Sequence, residues 1–557
     1  MTTRSILSLT TALLLAPFMP AQNVTHADLM KPLKDSWITY NGDYTAKRYS
    51  ALTAVNRTTV KNLSLAWSAK MTAGEETAAL TGYSRVRPPL IVGGEGPGGI
   101  AGRSGASIKG TILENNGVLY TTAPDNVWAV DARSGEVLWH YFWKTRGGTH
   151  IGNRGVGLYK DYLFFETPDD YLVSLDARTG KERWHKMIAH VEGGYFATPA
   201  PVIIKNHVIA GVGNDLDAPS FLKSFDPETG DLQWTWYVTP QHQGDPGLDT
   251  WKSLDAARHG GGGTWVAGSY DPETNLYMIG TGNPTPSWTT GLRGDGDNLY
   301  TCSLVALDVD TGKLKWYYST SPHDTHDYDS AQVPVLVDGL FKGKPRKMVV
   351  TAARNGYFFV LDRVTGEHLL TSKYGDTTNW AEGETPQGGP KGLPSKDAST
   401  GGTLLSPNSS GTINWQPPAY SPQTGLLYQY DVDSFSEAYL LDPDPRGSMG
   451  LGGKEEVQVG PVGSYLLGID YKTGKAKWRH ELYTTSFGGG GLLATAGGLV
   501  FGGDGAGNLV AFDAADGKAL WGTRLGLITN APQTYMLDGH QYVLVASGDT
   551  LYSFQLN

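Results

Sequence analysis

One phrase recurs along the chain and constrains its fold more than anything else in it. An Asp is followed by two residues, then Thr, Ser or Asp, then Gly, with a Trp eight positions after the Asp. The copies start at Asp131, Asp176, Asp226, Asp308, Asp470 and Asp513 and end at Trp139, Trp184, Trp234, Trp316, Trp478 and Trp521. A seventh copy, Asp362-Arg-Val-Thr-Gly366, has Leu370 in the Trp position. An Asp side chain capping backbone N–H groups, with Gly at positive φ, makes a tight turn between strands. The run before it, such as Val127-Trp-Ala-Val130, is strand-like, and a further strand candidate, Val118-Leu-Tyr-Thr-Thr122, lies upstream. Each copy therefore marks a small antiparallel meander whose Trp can pack against the adjacent sheet.

Meanders repeated at roughly 40–50 residues are the pattern of a β-propeller. The expected fold is all-β, an eight-bladed β-propeller of four-stranded antiparallel blades. Two longer gaps, from Asp226 to Asp308 and from Asp362 to Asp470, each leave room for a degenerate blade. Ser269-Tyr-Asp-Pro-Glu-Thr-Asn-Leu-Tyr277 and Tyr420-Ser-Pro-Gln-Thr-Gly-Leu-Leu-Tyr428 supply turns within them. The segment around Trp67 is expected to help close the ring. Composition agrees with many short strands and tight turns: 73 Gly, 16 Trp and 29 Tyr, with only 18% charged residues.

Arg4, an apolar run over residues 6–18 and Pro20-Ala21-Gln22 read as a signal peptide over residues 1–21, leaving residues 22–557 as one domain. The run is too short to span a bilayer, so a periplasmic or secreted protein is expected. The net charge of −10, without a basic cluster, argues against a nucleic-acid surface. The single cysteine, Cys302, rules out an intrachain disulfide and a CxxCH haem site, and its apolar surroundings read as core.

Several segments go beyond scaffold. Gly261-Gly-Gly-Thr-Trp265, Gly280-Thr-Gly-Asn-Pro-Thr-Pro286, Asp297-Asn-Leu-Tyr300, Pro322-His-Asp-Thr-His-Asp-Tyr-Asp329, Arg354-Asn-Gly-Tyr-Phe-Phe-Val-Leu-Asp362, Asn414-Trp-Gln-Pro417 and Leu493-Ala-Thr-Ala-Gly-Gly498 follow one another in order. With this order and spacing, the chain from about Trp37 to its end resembles the family of dehydrogenases dependent on pyrroloquinoline quinone (PQQ), which oxidise alcohols or sugars. PQQ is a flat tricyclic quinone with three carboxylates. Its site needs an aromatic floor, cationic partners and a Lewis acid at the quinone oxygen.

The resemblance implies a role for each matching residue. Trp265 matches the stacking Trp. Arg154, Thr198 and Asn414 match cofactor contacts, and Arg354 matches the cation that polarises the quinone oxygens. Asn283 matches the amide ligand of the metal. The family's Glu ligand falls on Asp215, with Asp217 as a rival. Asp327 matches the catalytic base, with Asp324 as its rival, and His326 stands where the family has Trp, which leaves room for a supporting role behind the site, though it reads as a surface residue. Asp329, two after the base in a segment read as extended, adds a third carboxylate. Asp215, Asn283, Asp327 and Asp329 would then bind Ca²⁺ or a lanthanide. One departure stands out: alcohol-oxidising members usually carry adjacent cysteines, and the corresponding positions here are Gly148 and Thr149.

The implied partners are a small alcohol or sugar as substrate and a soluble cytochrome c or quinone as electron acceptor, with a homodimer left open. A second reading is a non-catalytic envelope propeller that binds protein partners. That class needs no ordered set of Trp265, Asn283, Asp327 and Arg354.

Overall fold

The computed structural model describes residues 19–74, 107–145, 147–441 and 453–557. Most of the expected signal peptide, residues 1–18, lies outside them. Among the described residues no helix is long and apolar enough to cross a membrane.

Leu113–Asn115, Val118–Ala123, Asn126–Asp131 and Val137–Phe142 pair antiparallel in chain order. Their middle members are buried except at Asp131, while Val137–Phe142 is half-exposed, as befits a sheet packed on both faces with its last strand outermost. The same meander recurs over residues 157–187, 202–237, 269–319, 335–373, 419–482 and 493–524. In each, the marked Asp turn joins the third strand to the fourth. At the first, Asp131 Oδ1 accepts from Arg133 N at 2.8 Å and Ser134 N at 3.0 Å, and Gly135 has φ +78°.

A further four-stranded sheet is assembled from strands near both ends of the described chain. Gln533–Leu537, His540–Ser547 and Thr550–Leu556 are joined by Leu63–Lys70, which pairs antiparallel with Thr550–Leu556. This is the closure expected around Trp67. Among the described residues the two long gaps hold no additional four-stranded sheet. They belong to the sheets marked by Asp308 and Asp470, lengthened by the connections 239–268, 281–302 and 374–418 and by the long pair Leu426–Leu440 and Lys454–Asp470. Turn spacing measures connections as well as strands, so long loops had the spacing of an extra blade.

Trp67 and five of the repeat's Trp residues link successive sheets. The indole N–H groups of Trp67, Trp139, Trp184, Trp234, Trp316 and Trp478 donate to Ala132, Ala177, Glu228, Val309, Arg363 and Ala514 carbonyls, each in the Asp turn of the next sheet, at 2.9–3.3 Å.

Antiparallel alternation sorts the connections. Those between third and fourth strands, with the Asp turns, lie at one end of the sheets. Those between second and third strands, and those leading from one sheet to the next, lie at the other.

Candidate active site

Every residue singled out for cofactor or metal lies on a connection at that second end. Arg154, Thr198, Trp265, Asp327, Asp329 and Asn414 are on segments between sheets, whereas Asp215, Asn283 and Arg354 follow the second strand of their sheets. All nine line one cavity of about 400 Å³, well within the range of small-ligand sites.

Its centre is an arginine between two carboxylates. Arg354 Nη2 donates to Asp327 Oδ2 and Nη1 to Asp329 Oδ2, both at 3.0 Å. Asp329 also accepts from Trp265 Nε1 at 2.9 Å and from the backbone N–H of Asn283 at 2.5 Å. That approach requires glycine beside Asn283: a Cβ on Gly282 would lie 2.9 Å from Gly263 N and 3.1 Å from Asp329 Oδ1. The Asn283 amide N–H₂ donates to Pro284 O and Ser287 Oγ, leaving its amide oxygen as a donor atom for a ligand.

Asp327-Tyr-Asp329 is not extended as expected. Asp327 has φ +65°, because Asp324 Oδ2 accepts from the backbone N–H groups of Asp327 and Tyr328 and curls the segment. Both carboxylates still reach the cavity, since Arg354 gathers them. Asp324 spends itself on this turn and is absent from the cavity wall. Asp217 is likewise absent. It is half-exposed and meets His259 at 3.2 Å, while Asn214 Oδ1 caps the following backbone and leaves Asp215 facing inward. His326 is buried rather than on the surface. It stacks on Tyr328 at 5.1 Å, with Nε2 3.0 Å from Lys396 O, because the curled loop folds it beneath the strand hairpin at 381–392.

Thr198 Oγ1 and Arg154 Nη1 converge on the Trp265 carbonyl at 3.0 and 3.1 Å. The Arg154 guanidinium lies over the Trp265 ring at 4.8 Å and the Trp415 ring at 5.4 Å. Asn414 is held by Ser410 O and Trp415 N.

Sequence reasoning missed Lys109, His150, Phe196 and Phe487, which also line the cavity. His150 has Nε2 3.3 Å from Asp215 Oδ2 and stacks on Phe196 at 4.7 Å. Its position directly after Gly148-Thr149 was the available signal. Those two positions are shaped by neighbours: a Cβ at Gly148 would lie 2.5 Å from Pro168 O, and Thr149 Oγ1 donates to Gly194 O and Tyr195 O. Cys302 is buried, as expected.

Burial dominates the electrostatics. It pushes Asp215 up to about 7, with Asp329 adding to the shift and Arg354 opposing it. It also raises Asp327, against the pull of Arg354 and with repulsion from Asp329 and Asp215. Asp329 is raised by burial against Arg354. His150 is pushed down to about 4 by burial and is neutral at pH 7. Among the described residues, no three carboxylate, imidazole or thiol groups are already clustered as a metal centre, and Arg354 lies between Asp327 and Asp329. The donor chemistry nevertheless fits a hard cation: Asp215, Asp327 and Asp329 offer carboxylates and Asn283 an amide oxygen. The rest of the wall fits a flat aromatic polyanion. It offers the Trp265, Trp415 and Phe487 rings and the cations of Lys109 and Arg154.

Comparison with known proteins agrees with this chemistry. A family described as "PQQ: Glucose/ethanol/alcohol dehydrogenase, beta-propeller domain" matches residues 37–375 and 461–543. Quinoprotein alcohol dehydrogenase PedH of Pseudomonas putida is 34% identical over 473 residues, covering 78% of this chain and 78% of the relative. Quinohemoprotein alcohol dehydrogenase of Comamonas testosteroni is 34% identical over 551 residues, covering 92% of this chain and 72% of the relative. The solved Comamonas structure is similar with a TM-score of 0.83 at 31% identity, covering 96% of this chain and 83% of that one. A europium-containing methanol dehydrogenase is similar with a TM-score of 0.79 at 27% identity, covering 95% and 99%.

Proposed function

Because the chain belongs to the β-propeller family of PQQ-dependent alcohol dehydrogenases, we propose that its cavity oxidises an alcohol with Asp327 as general base, and that a metal ion sits beside the cofactor. The observation that carries this reading is the Arg354 bridge between Asp327 and Asp329 in a cavity floored by Trp265.

When bound, PQQ supplies a quinone carbon that accepts hydride and the metal supplies Lewis acidity at the quinone oxygen. Trp265 offers its ring face to the cofactor plane. Arg154, Thr198 and Asn414 would hold the cofactor's carboxylates. Asp327 takes the hydroxyl proton of the alcohol on a carboxylate oxygen. For that it must be ionised, which burial opposes and a nearby cation favours. Arg354 holds Asp327 in place and stabilises negative charge that develops beside it. Asp215, Asn283, Asp327 and Asp329 would hold the ion, and the third carboxylate favours a trivalent one by Coulomb attraction. The family relationship makes an alcohol the substrate ahead of a sugar, even though Gly148 and Thr149 stand where alcohol-oxidising members usually carry adjacent cysteines.

The apolar run at residues 6–18 supports export to the periplasm. The proposed electron acceptor is a soluble cytochrome c or a quinone.

The test is reconstitution of cofactor-free protein with PQQ and either Ca²⁺ or La³⁺, for the wild type and Asp329→Ala. Dye reduction with a primary alcohol should require PQQ. La³⁺ should give the more active wild type, and Asp329→Ala should lose that advantage. Absence of PQQ binding in the micromolar range would overturn the whole reading. Equal activity with Ca²⁺, unchanged in the variant, would overturn the trivalent metal.

A further inference from the structure

Arg354 is held from a second side, by residues outside the portions matched to the family, which end at residue 375 and resume at residue 461. Its Nε donates to the Ser409 carbonyl at 2.8 Å, and Nη2 reaches the same oxygen. Ser409 is itself clamped. Its backbone N–H lies 3.1 and 3.3 Å from the two carboxylate oxygens of Glu456, and its hydroxyl donates to Glu456 Oε2. Glu456 is paired in turn: Lys454 Nζ is 2.6 Å from its Oε2 and sits 3.5 Å over the Trp288 ring.

These groups are shielded from water. Side-chain exposure is 9% for Arg354, 10% for Lys454 and 15% for Glu456. Burial opposes ionisation of Glu456, yet the Lys454 ammonium and the Ser409 donors hold its carboxyl below the ordinary range. It is therefore a charged acceptor, and charge-assisted bonds are the stronger ones.

The geometry gives this chain of contacts a consequence. A guanidinium is a rigid planar fork, so fixing Nε fixes the direction of both Nη groups. Glu456 takes both donors of Ser409 and so sets that residue's backbone, whose carbonyl orients Arg354. Lys454 keeps the Glu456 carboxylate charged and in place. Without the clamp Arg354 keeps its two aspartates but loses the contact that sets its plane.

We propose that Glu456, paired with Lys454, is a positioning residue for Arg354, acting through Ser409 to hold the guanidinium between Asp327 and Asp329 and so setting the affinity for the cofactor and the rate of turnover. The proposal rests on the PQQ reading of the cavity.

The test uses the full chain carrying Lys454→Met with Glu456→Gln, which removes the ion pair without leaving a buried lone charge. Ser409→Ala serves as a second variant that keeps the pair and removes only the hydroxyl bond. Cofactor-free protein is titrated with PQQ at fixed Ca²⁺, followed by quenching of tryptophan fluorescence, and kcat and KM for a primary alcohol are measured after loading. The double variant should melt as the wild type does, bind PQQ roughly 10- to 100-fold more weakly, and lose kcat with KM for the alcohol little changed. Ser409→Ala should move both quantities the same way by less. Wild-type PQQ affinity and kcat in Ser409→Ala and in the folded double variant would overturn the proposal. If the double variant fails to fold, unchanged affinity and kcat in Ser409→Ala alone would do so. A wild type that does not bind PQQ overturns the functional reading instead.

Discussion

Asp324 and Asp327 are separated by two residues, and only their surroundings distinguish them. Asp324 Oδ2 is committed to two backbone N–H groups, whereas Asp327 faces the cavity in the grip of Arg354. Asp327→Asn should therefore leave the loop and the PQQ affinity intact, since the amide oxygen still accepts from Arg354, while turnover falls by roughly 10²–10⁴-fold, the usual worth of a general base. Asp324→Asn should act on loop order, weakening PQQ binding more than the chemical step. Steady-state dye reduction together with a PQQ titration separates the two. Full turnover in Asp327→Asn, with none in Asp324→Asn, would reverse the assignment. The sequence placed both carboxylates in the right loop but not the curl that divides them, because that curl depends on which backbone groups one side chain captures.

At the scale of elements, the Asp turn and the Trp act on different sheets. The Asp closes its own hairpin, while the Trp of the preceding sheet covers the glycine. A Cβ on Gly180 would lie 2.6 Å from Trp139 Cε3, at φ +68°. Gly180→Ala must shift the indole and hold alanine in a left-handed conformation, and the expected cost is about 1–3 kcal/mol of stability. Calorimetry should read this as a lower Tm, with PQQ affinity unchanged because the turn is at the end of the sheet away from the cavity. An unchanged Tm would mean that the Trp–Gly contact is slack. The copy with Leu370 in the Trp position lacks the indole donor, so the sheet after it is docked without that hydrogen bond. This layer was legible in the sequence because turn, glycine and Trp are local and evenly spaced.

At the scale of the whole molecule, the ring is closed by strands nearly the full chain apart. Leu65 pairs with Phe554, and Phe554 is buried with its ring edge-on to Trp521 at 5.6 Å. Phe554→Ala removes packing from the sheet that joins the two ends, at an expected cost of about 3–5 kcal/mol. Amide hydrogen exchange should quicken over Leu63–Lys70 as well as over Thr550–Leu556, since among the described residues Leu63–Lys70 pairs with no other strand. Faster exchange confined to Thr550–Leu556 would show that Leu63–Lys70 is held by other contacts.

The sequence by itself determined that the chain is built of β meanders, where seven of their turns lie, and which residue types could serve a flat polyanionic cofactor and a hard cation. Those features follow from local hydrogen bonding, strand alternation and the chemistry of single side chains. Only the tertiary structure decided that the long gaps are loops, that Asp215 and Asp327 rather than Asp217 and Asp324 face the cavity, and that His150 and Phe196 line it. The cavity is walled by connections from several sheets, and its contacts join residues far apart in sequence. Whether a side chain reaches it depends on how those sheets pack around a shared axis, which no local pattern encodes. The clamp from Lys454 and Glu456 to Arg354 was invisible for the same reason, since Arg354 lies 55 residues from Ser409 and Ser409 lies 47 from Glu456.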